Sequence, residues 1–265
     1  MVLGNVPSFE LQSAALLREG NTLVQGADFA LFEGDKVVVM GRNGAGKSSF
    51  VKMLAGFERA SQGRLLVGGV DARSMDVRML RRSVSYVSSS LQERFLGSTT
   101  TFEVVLTGTS GDLAPYWRSY SDEARSVADE LLSIFRLSEK RDHLFSSLSQ
   151  GERQRAVLAR AFARRSPLVV ADEPFVGLDL VSRDELIVAL DGVGTLGVRS
   201  NTVVLVVHHT EEIPEIFDRV VFVRDSKLIW QGSKDEFLTS KVLSELYETR
   251  LRVTKLGERC YTSVE

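Results

Sequence analysis

Short apolar runs rich in β-branched residues recur at Val37 to Met40, Val84 to Val87, Leu168 to Ala171, Thr202 to Val207 and Val220 to Val223. Each has the length of a strand. The runs that end before residues 41, 172 and 208 show no polar–apolar alternation, which predicts strands buried on both faces of a parallel sheet. Between such runs the period lengthens to that of a helix. Gly46 to Ala55 stops at Gly56, Ser121 to Phe135 follows a Ser-Asp start, Ser149 to Arg165 ends before Pro167, and Ser182 to Leu190 follows the next loop. This alternation predicts an α/β fold with a mostly parallel sheet.

From about Ser98 to Gln150 the strand signal fades and helical patterns take over, punctuated by the Gly/Pro-rich GTSGDLAP. That stretch reads as a helical subdomain (about 98–150) inserted between two parts of a core (about 1–97 and 151–240). The tail, about 241–265, reads as a helix, VLSELYETR, followed by a short strand pair near Leu251 to Tyr261. No repeat or low-complexity tract interrupts the chain.

The length of 265 residues leaves room for one large or two small domains, and 43% apolar with 26% charged residues is a globular composition. A net charge of -2 excludes a global basic field, so direct nucleic-acid binding is not expected. The single Cys260 cannot form an internal disulfide, which favours a reducing compartment, and no charge or base beside it suggests a reactive thiol. The longest apolar runs, Val203 to Val207 and Leu186 to Leu190, fall far short of the roughly 20 residues of a membrane helix. The N-terminus has no signal-peptide pattern. A cytoplasmic location is the expectation.

Gly41-Arg42-Asn43-Gly44-Ala45-Gly46-Lys47-Ser48, followed by Ser49, fits the phosphate-binding loop G-x-x-x-x-G-K-[ST]. A buried strand leads into it and a helix leads out, so the loop amides and the helix N-terminus converge on one anion site, as in a P-loop NTPase. Lys47 would pair with the β- and γ-phosphates of a nucleotide, and the Ser48 hydroxyl would ligate Mg²⁺. Leu168 to Glu173 is an apolar strand ending in two carboxylates, the arrangement of a Walker B motif. Asp172 would hold Mg²⁺, and Glu173 would act as general base toward the water that attacks the γ-phosphate. Ligands of open α/β sheets sit beyond the carboxyl ends of the strands, where Lys47 and Asp172 both fall.

Leu148 to Arg155 reads LSQGERQR. Locally, Ser149 and Glu152 form a capping box that opens an Arg- and Ala-rich helix. Ser149, Gln150, Gly151 and Glu152 also make a second helix N-terminus able to take an anion. The arginines that follow, Arg153, Arg155, Arg160 and Arg164, read as a solvated or subunit-contacting face. With these residues the chain resembles the ATP-binding cassette (ABC) ATPases, whose signature motif LSQGERQR matches. The resemblance implies a cassette that pairs with a second copy or a paired cassette, each signature completing the ATP site of the facing protomer. It further implies that Asp179 is the D-loop residue and that His208, after strand TVVLVV, is the switch histidine that contacts the γ-phosphate and holds Glu173 and water. His209 follows where another residue is usual.

Two departures stand out. Where an aromatic residue usually stacks on adenine, LLREGNTL offers Leu17 or Arg18, and a guanidinium can stack on a base. Where the family's Q-loop reads Tyr-Val-Pro-Gln, the chain reads Tyr86-Val87-Ser88-Ser89-Ser90-Leu91-Gln92, so the metal-facing residue is either Gln92 or Ser89. These departures, with APYW at 114–117, resemble more distantly the subunits grouped near molybdate and iron-complex transport.

The leading expectation is an ATPase subunit, bound with ATP and Mg²⁺, that powers transport through a separate transmembrane permease on the inner face of the membrane. In the family a helix of that partner enters the groove around the Q-loop, near Phe95, Tyr116 and Trp117 in sequence; packing within the helical region is the alternative account of these aromatics. The second reading is a non-transport cassette clamping a soluble partner, although the roughly 100 residues between Lys47 and Ser149 leave no room for a long coiled-coil arm. A scaffold without turnover would require a broken catalytic set, yet Glu173 and His208 are both present.

Overall fold

The computed structural model describes residues 6–88, 95, 98–113, 119–194 and 202–265. Its larger sheet has six strands in the order β10-β9-β3-β8-β7-β6. Strands β3 (Lys36–Met40), β6 (Val84–Ser88), β7 (Leu168–Asp172), β8 (Thr202–Val206) and β9 (Arg219–Arg224) run parallel, and β10 (Lys227–Ser233) closes one edge antiparallel. The parallel strands coincide with the five apolar runs, and the reason is visible in their packing. Val38, Met40, Val169, Ala171, Val203 and Leu205 enter one core cluster, while Val37, Val39, Leu168, Val170, Val204 and Val206 enter another on the opposite face. Because successive side chains alternate faces, a strand covered on both sides leaves no polar position.

A second, four-stranded antiparallel sheet, order β2-β1-β4-β5, contains β1 (Phe9–Arg18), β2 (Asn21–Leu31), β4 (Gln62–Val67) and β5 (Val70–Asp71). The helix α1 (Lys47–Leu54) shares a core with both sheets: Phe50, Met53 and Leu54 are fully buried among Phe9, Leu11, Val37 and Val39. Phe50 meets Phe29 edge-on, with ring centroids 5.5 Å apart. This second sheet was absent from the sequence reading. Its first strand carries a bulge between Leu11 and Ala14, with Ser13 at φ 44° and its amide donating to Asp28 at 2.7 Å. An inserted residue shifts the inward set by one position, so the period-two signal is lost within the strand.

The other face of the large sheet is covered by helices. After the short α2 (Val77–Arg82) come α3 (Thr101–Ser110), α4 (Asp122–Ile134), α5 (Gln150–Ala163) and α6 (Leu180–Val193). Buried residues of α3, α4, α5 and α6 belong to the same cluster as Val38, Val169 and Val203. The chain ends in α7 (Lys234–Phe237), α8 (Ser240–Tyr247) and a hairpin of β11 (Leu251–Leu256) and β12 (Arg259–Val264). The hairpin is tied back by Arg259, paired with Asp184 on α6, and by Thr262, whose hydroxyl lies 2.8 Å from that of Thr210. Among the described residues no helix is long and apolar enough to cross a membrane.

The arginines of α5 require a correction. Arg155 is 6% exposed and paired with Glu185 of α6, so it is not solvated. Arg160 donates to the Thr107 hydroxyl (3.2 Å) and the Asp112 carbonyl (2.7 Å), and burial pulls its guanidinium down to about 10. Both act as polar connections between helices. Arg160→Ala should therefore lower the unfolding free energy by roughly 2 kcal/mol, since the Thr107 hydroxyl and the Asp112 carbonyl lose this donor and the volume of the side chain is left unfilled. Arg165→Ala, which breaks an exposed pair to Glu123 at 3.4 Å, should cost under about 0.5 kcal/mol. Urea denaturation of the two variants checks the contrast.

Candidate functional site

The carboxyl ends of β3, β7 and β8 bring the predicted residues together. After β3 the loop Gly41 to Gly46 turns into α1, with Gly46 at φ 100° as the N-cap. A side chain there would meet the Leu23 carbonyl oxygen at 2.5 Å, so only glycine permits β2 to lie against the loop. The loop is also fixed by the Ser226 amide, which donates to the Ala45 carbonyl at 3.0 Å. Arg42, Asn43 and Gly44 are exposed, while Ser48 and Ser49 are half-buried. The first turn of α1 carries no acidic residue, so the positive end of its dipole is uncompensated from within.

Lys47 is 4% exposed and folds over its own loop, donating to the carbonyls of Gly41 (3.0 Å) and Arg42 (3.1 Å). Burial lowers its pKa, and the charges of Glu173 and Asp172 oppose that shift. Asp172 is also buried. Its Oδ1 accepts from the Ser48 hydroxyl at 3.0 Å and its Oδ2 from the Tyr86 phenol at 2.5 Å. Burial raises its pKa, only partly countered by these two bonds. Burial, and then the Asp172 charge, push the Tyr86 phenol strongly upward, which keeps it a donor. Tyr86 is braced by Phe57 (centroids 4.9 Å apart), over which Arg81 stacks at 3.8 Å.

Glu173 sits at φ 53°, a left-handed conformation that costs a residue with a side chain roughly 1 kcal/mol or more. Its Oε1 lies 3.0 Å from Nε2 of His208, which leaves the end of β8. Both line a cavity of about 1010 Å³ together with Gly41, Arg42, Asn43 and Gly44. Strained backbone at a carboxylate held by an imidazole beside an anion-binding loop is an arrangement suited to moving a proton.

Ser149 to Glu152 are not in the lining of that cavity, although Gln150 packs against Gly177 at its edge. The capping box is formed: the Ser149 hydroxyl accepts from the Glu152 amide (3.2 Å), and Glu152 accepts from the Ser149 amide (2.8 Å). Burial alone would raise the Glu152 carboxyl, but the bonds from Ser149 and the Lys140 charge outweigh it and hold it low. Gly151 packs on Ser182, where a Cβ would lie 2.5 Å from the hydroxyl oxygen. Asp179 caps α6, accepting from the amides of Val181 and Ser182 (2.9 Å each) and from the Ser182 hydroxyl (2.8 Å). Its carboxyl is held below the usual range, first by the Ser182 amide.

Gln92, Ser89, Tyr116 and Trp117 lie outside the described residues. Phe95 packs on Phe145, with centroids 5.2 Å apart. Arg18 donates from its Nη2 to both carboxylate oxygens of Glu58 (2.8 and 2.9 Å), and Leu17 is 44% exposed. Sequence reasoning gave no role to two polar residues at the site, Tyr86 and Glu212. The signal for Tyr86 was its parity: it lies on the same face of β6 as the residue paired with Asp172. Among the described residues no group of three or more His, Cys, Asp or Glu is arranged to hold a metal ion. Two adjacent hard oxygens, Ser48 Oγ and Asp172 Oδ1, fit a Mg²⁺ ion that takes its remaining ligands from phosphates and water.

A native pKa above the unfolded value means that Asp172 favours folding below the unfolded carboxylate pKa and loses that contribution as pH rises through the native value. At neutral pH its ionised form is a net cost. Asp172→Asn should accordingly raise the thermal midpoint at pH 7, measured without nucleotide, by about 2–4 °C, with the difference vanishing below the carboxylate range. Calorimetry across pH checks it, and a lowered midpoint at pH 7 would contradict the assigned cost.

Comparison with known proteins agrees with this geometry. A sequence profile of the ABC transporter family matches residues 24–176. The uncharacterized ABC transporter ATP-binding protein YlmA of Bacillus subtilis is 31% identical over 92% of the chain and 92% of its own length. The thiamine import ATP-binding protein ThiQ of a Chelativorans species is 34% identical over 77% of the chain and 79% of its own. Among solved structures, CbiO1 from Clostridium perfringens, part of an ABC transporter complex, superposes with a TM-score of 0.76 at 21% identity, covering 90% of this chain and 93% of that one. A dimeric ATP-binding cassette bound to ADP and Pi does so with a TM-score of 0.69 at 23% identity, covering 85% and 98%. The strand-end site, the cassette fold and these likenesses together place the chain in the ABC transporter family as an ATP-binding protein.

Proposed function

We propose that this chain is the ATP-hydrolysing subunit of a transporter whose membrane-spanning part is a separate polypeptide. The observation that carries the reading is the 3.0 Å pair of Glu173 and His208 at the mouth of the Lys47 loop. In this reading the amides of Gly41 to Ser49 and the Lys47 ammonium bind the phosphates of ATP. Lys47 exchanges its bonds to the Gly41 and Arg42 carbonyls for phosphate oxygens. Ser48 and Asp172 would hold Mg²⁺, which when bound would neutralise charge on the phosphates. Glu173 accepts a proton from the attacking water as the bond from the γ-phosphorus to the bridging oxygen breaks, giving ADP and phosphate. His208 orients Glu173 and the γ-phosphate.

Ser149, Gln150, Gly151 and Glu152 complete the site of a second copy or a paired cassette, with Asp179 at the contact. Support comes from their position on a different helix N-terminus, outside the cavity of Glu173 and His208. The exposed Val176, Leu180 and Val181 beside Asp179 suit such a contact. Association with a permease would place the chain at the inner face of the membrane. The second reading, a clamp on a soluble partner, has no observation in its favour.

Glu173→Gln is expected to lower ATP turnover by at least 100-fold, the scale of a lost general base, while ATP binding persists and an ATP-bound dimer accumulates. Light scattering with and without ATP reads the dimer. Ser149→Arg should abolish turnover while leaving ATP binding by the separate chain intact. Turnover unchanged in both variants would sink the catalytic and the dimer assignments, and recovery of only soluble partners with the native complex would sink the transporter.

A further inference from the structure

The His208 ring pairs with Glu173, but the backbone that presents it is held by a different residue. Between β8 and β9 the chain makes a single helical turn, Thr210–Glu212, directly after the two histidines. Glu212 is 5% exposed, yet carries a carboxylate. Its Oε2 accepts from the amide of His208 at 3.0 Å and from the amide of His209 at 3.1 Å. Its own amide donates to the His209 carbonyl at 3.2 Å. A buried carboxylate is tolerated only where donors satisfy it, so the carboxylate and the two amides fix each other. The strand hydrogen bonding ends one residue earlier, with the Val207 amide on the Val39 carbonyl. From His208 onward the sheet no longer sets the backbone.

We infer that Glu212 is a positioning residue: it holds the main chain at His208 so that the imidazole reaches Glu173. Glu212 borders the same cavity as Glu173 and His208, but its Oε2 is taken up by the two backbone amides. It acts by replacing the ladder that β8 has just left, so the ring that leaves the strand keeps a fixed origin. The turn is braced on its other side by the Thr262 hydroxyl of the C-terminal hairpin, 2.8 Å from Thr210, which leaves the turn little room to relax if the carboxylate is lost inside it.

The inference rests on the ATPase reading above, and the test separates the two. Steady-state ATP hydrolysis is measured for the wild type, His208→Ala, Glu212→Ala, Glu212→Gln and the His208→Ala/Glu212→Ala double variant of the full chain. Glu212→Ala should lower kcat about 10-fold or more, the scale expected of a misplaced catalytic group, with KM for ATP changed less than about twofold. Glu212→Gln keeps an acceptor oxygen at the same reach and should recover to within about threefold of the wild type. In the His208→Ala background Glu212→Ala should have no further effect beyond about twofold, because a residue acting through His208 has nothing left to position. Additive losses in the double variant, or a folded Glu212→Gln as impaired as Glu212→Ala, overturn the inference. If Glu212→Ala is insoluble, Glu212→Asp takes its place in the cycle, since its shorter side chain cannot reach both amides. An inactive wild type, or a fully active His208→Ala, would instead defeat the catalytic reading itself.

Discussion

Three parallel strands share one rung. Val39 of β3 pairs with Val206 of β8, and Val206 pairs with Asp172 of β7. Everything chemical about the molecule follows from that register. One residue past the rung stand Met40, Val207 and Glu173; two past it, Gly41 and His208. The loop that opens at Gly41, the strained Glu173 and His208 are therefore brought to one edge by the strand register, and at His208 the Glu212 carboxylate takes over from the ladder. A slip of one residue in any of the three strands would exchange the side chains packed in the two core clusters and move its end out of line with the other two. Close packing on both faces makes such an exchange costly, because side chains of different volume would have to fill each other's places.

The same two-sided burial explains why so much could be read from the sequence. The runs at β3, β7 and β8 are unbroken because neither face is wet, and each ends abruptly where the polar chemistry begins. The phosphate loop was legible because its glycines, Lys47 and Ser48 lie within eight residues. The antiparallel sheet was not, because the bulge at Ser13 disrupts the alternation within β1. Tyr86 was missed as a site residue because its partner Asp172 is 86 positions away, and its parity on β6 points to Asp172 only once the pairing of β6 with β7 is known. Glu212 was invisible for another reason: its partners are backbone amides, which carry no residue-type signal. The arginines of α5 misled because a charged residue every few positions resembles a wet helix face. Arg155 and Arg160 instead satisfy polar groups of α6 and of the α3 region.

Local charge at the strand ends is poised between two demands. Lys47 is buried beside two carboxylates, and it satisfies its ammonium on loop carbonyls. Asp172 is buried and, among the described residues, its donors are a hydroxyl and a phenol, which only partly offset the cost of burial to its ionised form. A polyanion carrying a divalent cation relieves both at once, giving Lys47 an anionic partner and Asp172 a cationic one. A buried lysine and a buried aspartate that do not pair with each other are thus each prepared for a different part of the same ligand.

The second helix N-terminus obeys a different constraint. Gly151 has no room for a side chain because Ser182 fills that space, and Ser182 is itself held by Asp179. One turn along, Arg155 pairs with Glu185. The start of α5 and the start of α6 therefore cannot move apart without breaking a close steric contact, a cap and an ion pair together. A displacement of Asp179 at a subunit contact would carry Ser149 and Gly151 with it, because interfaces packed this closely shift as units and do not deform gradually. Asp179 follows Glu173 by six positions, so the carboxylate that faces His208 is joined by a short stretch of chain to Asp179 and, through Ser182, to Gly151. In the proposed pairing with a facing copy, Glu173 is thus linked to the start of α5 by continuous covalent chain as far as Asp179 and by side-chain packing from there on.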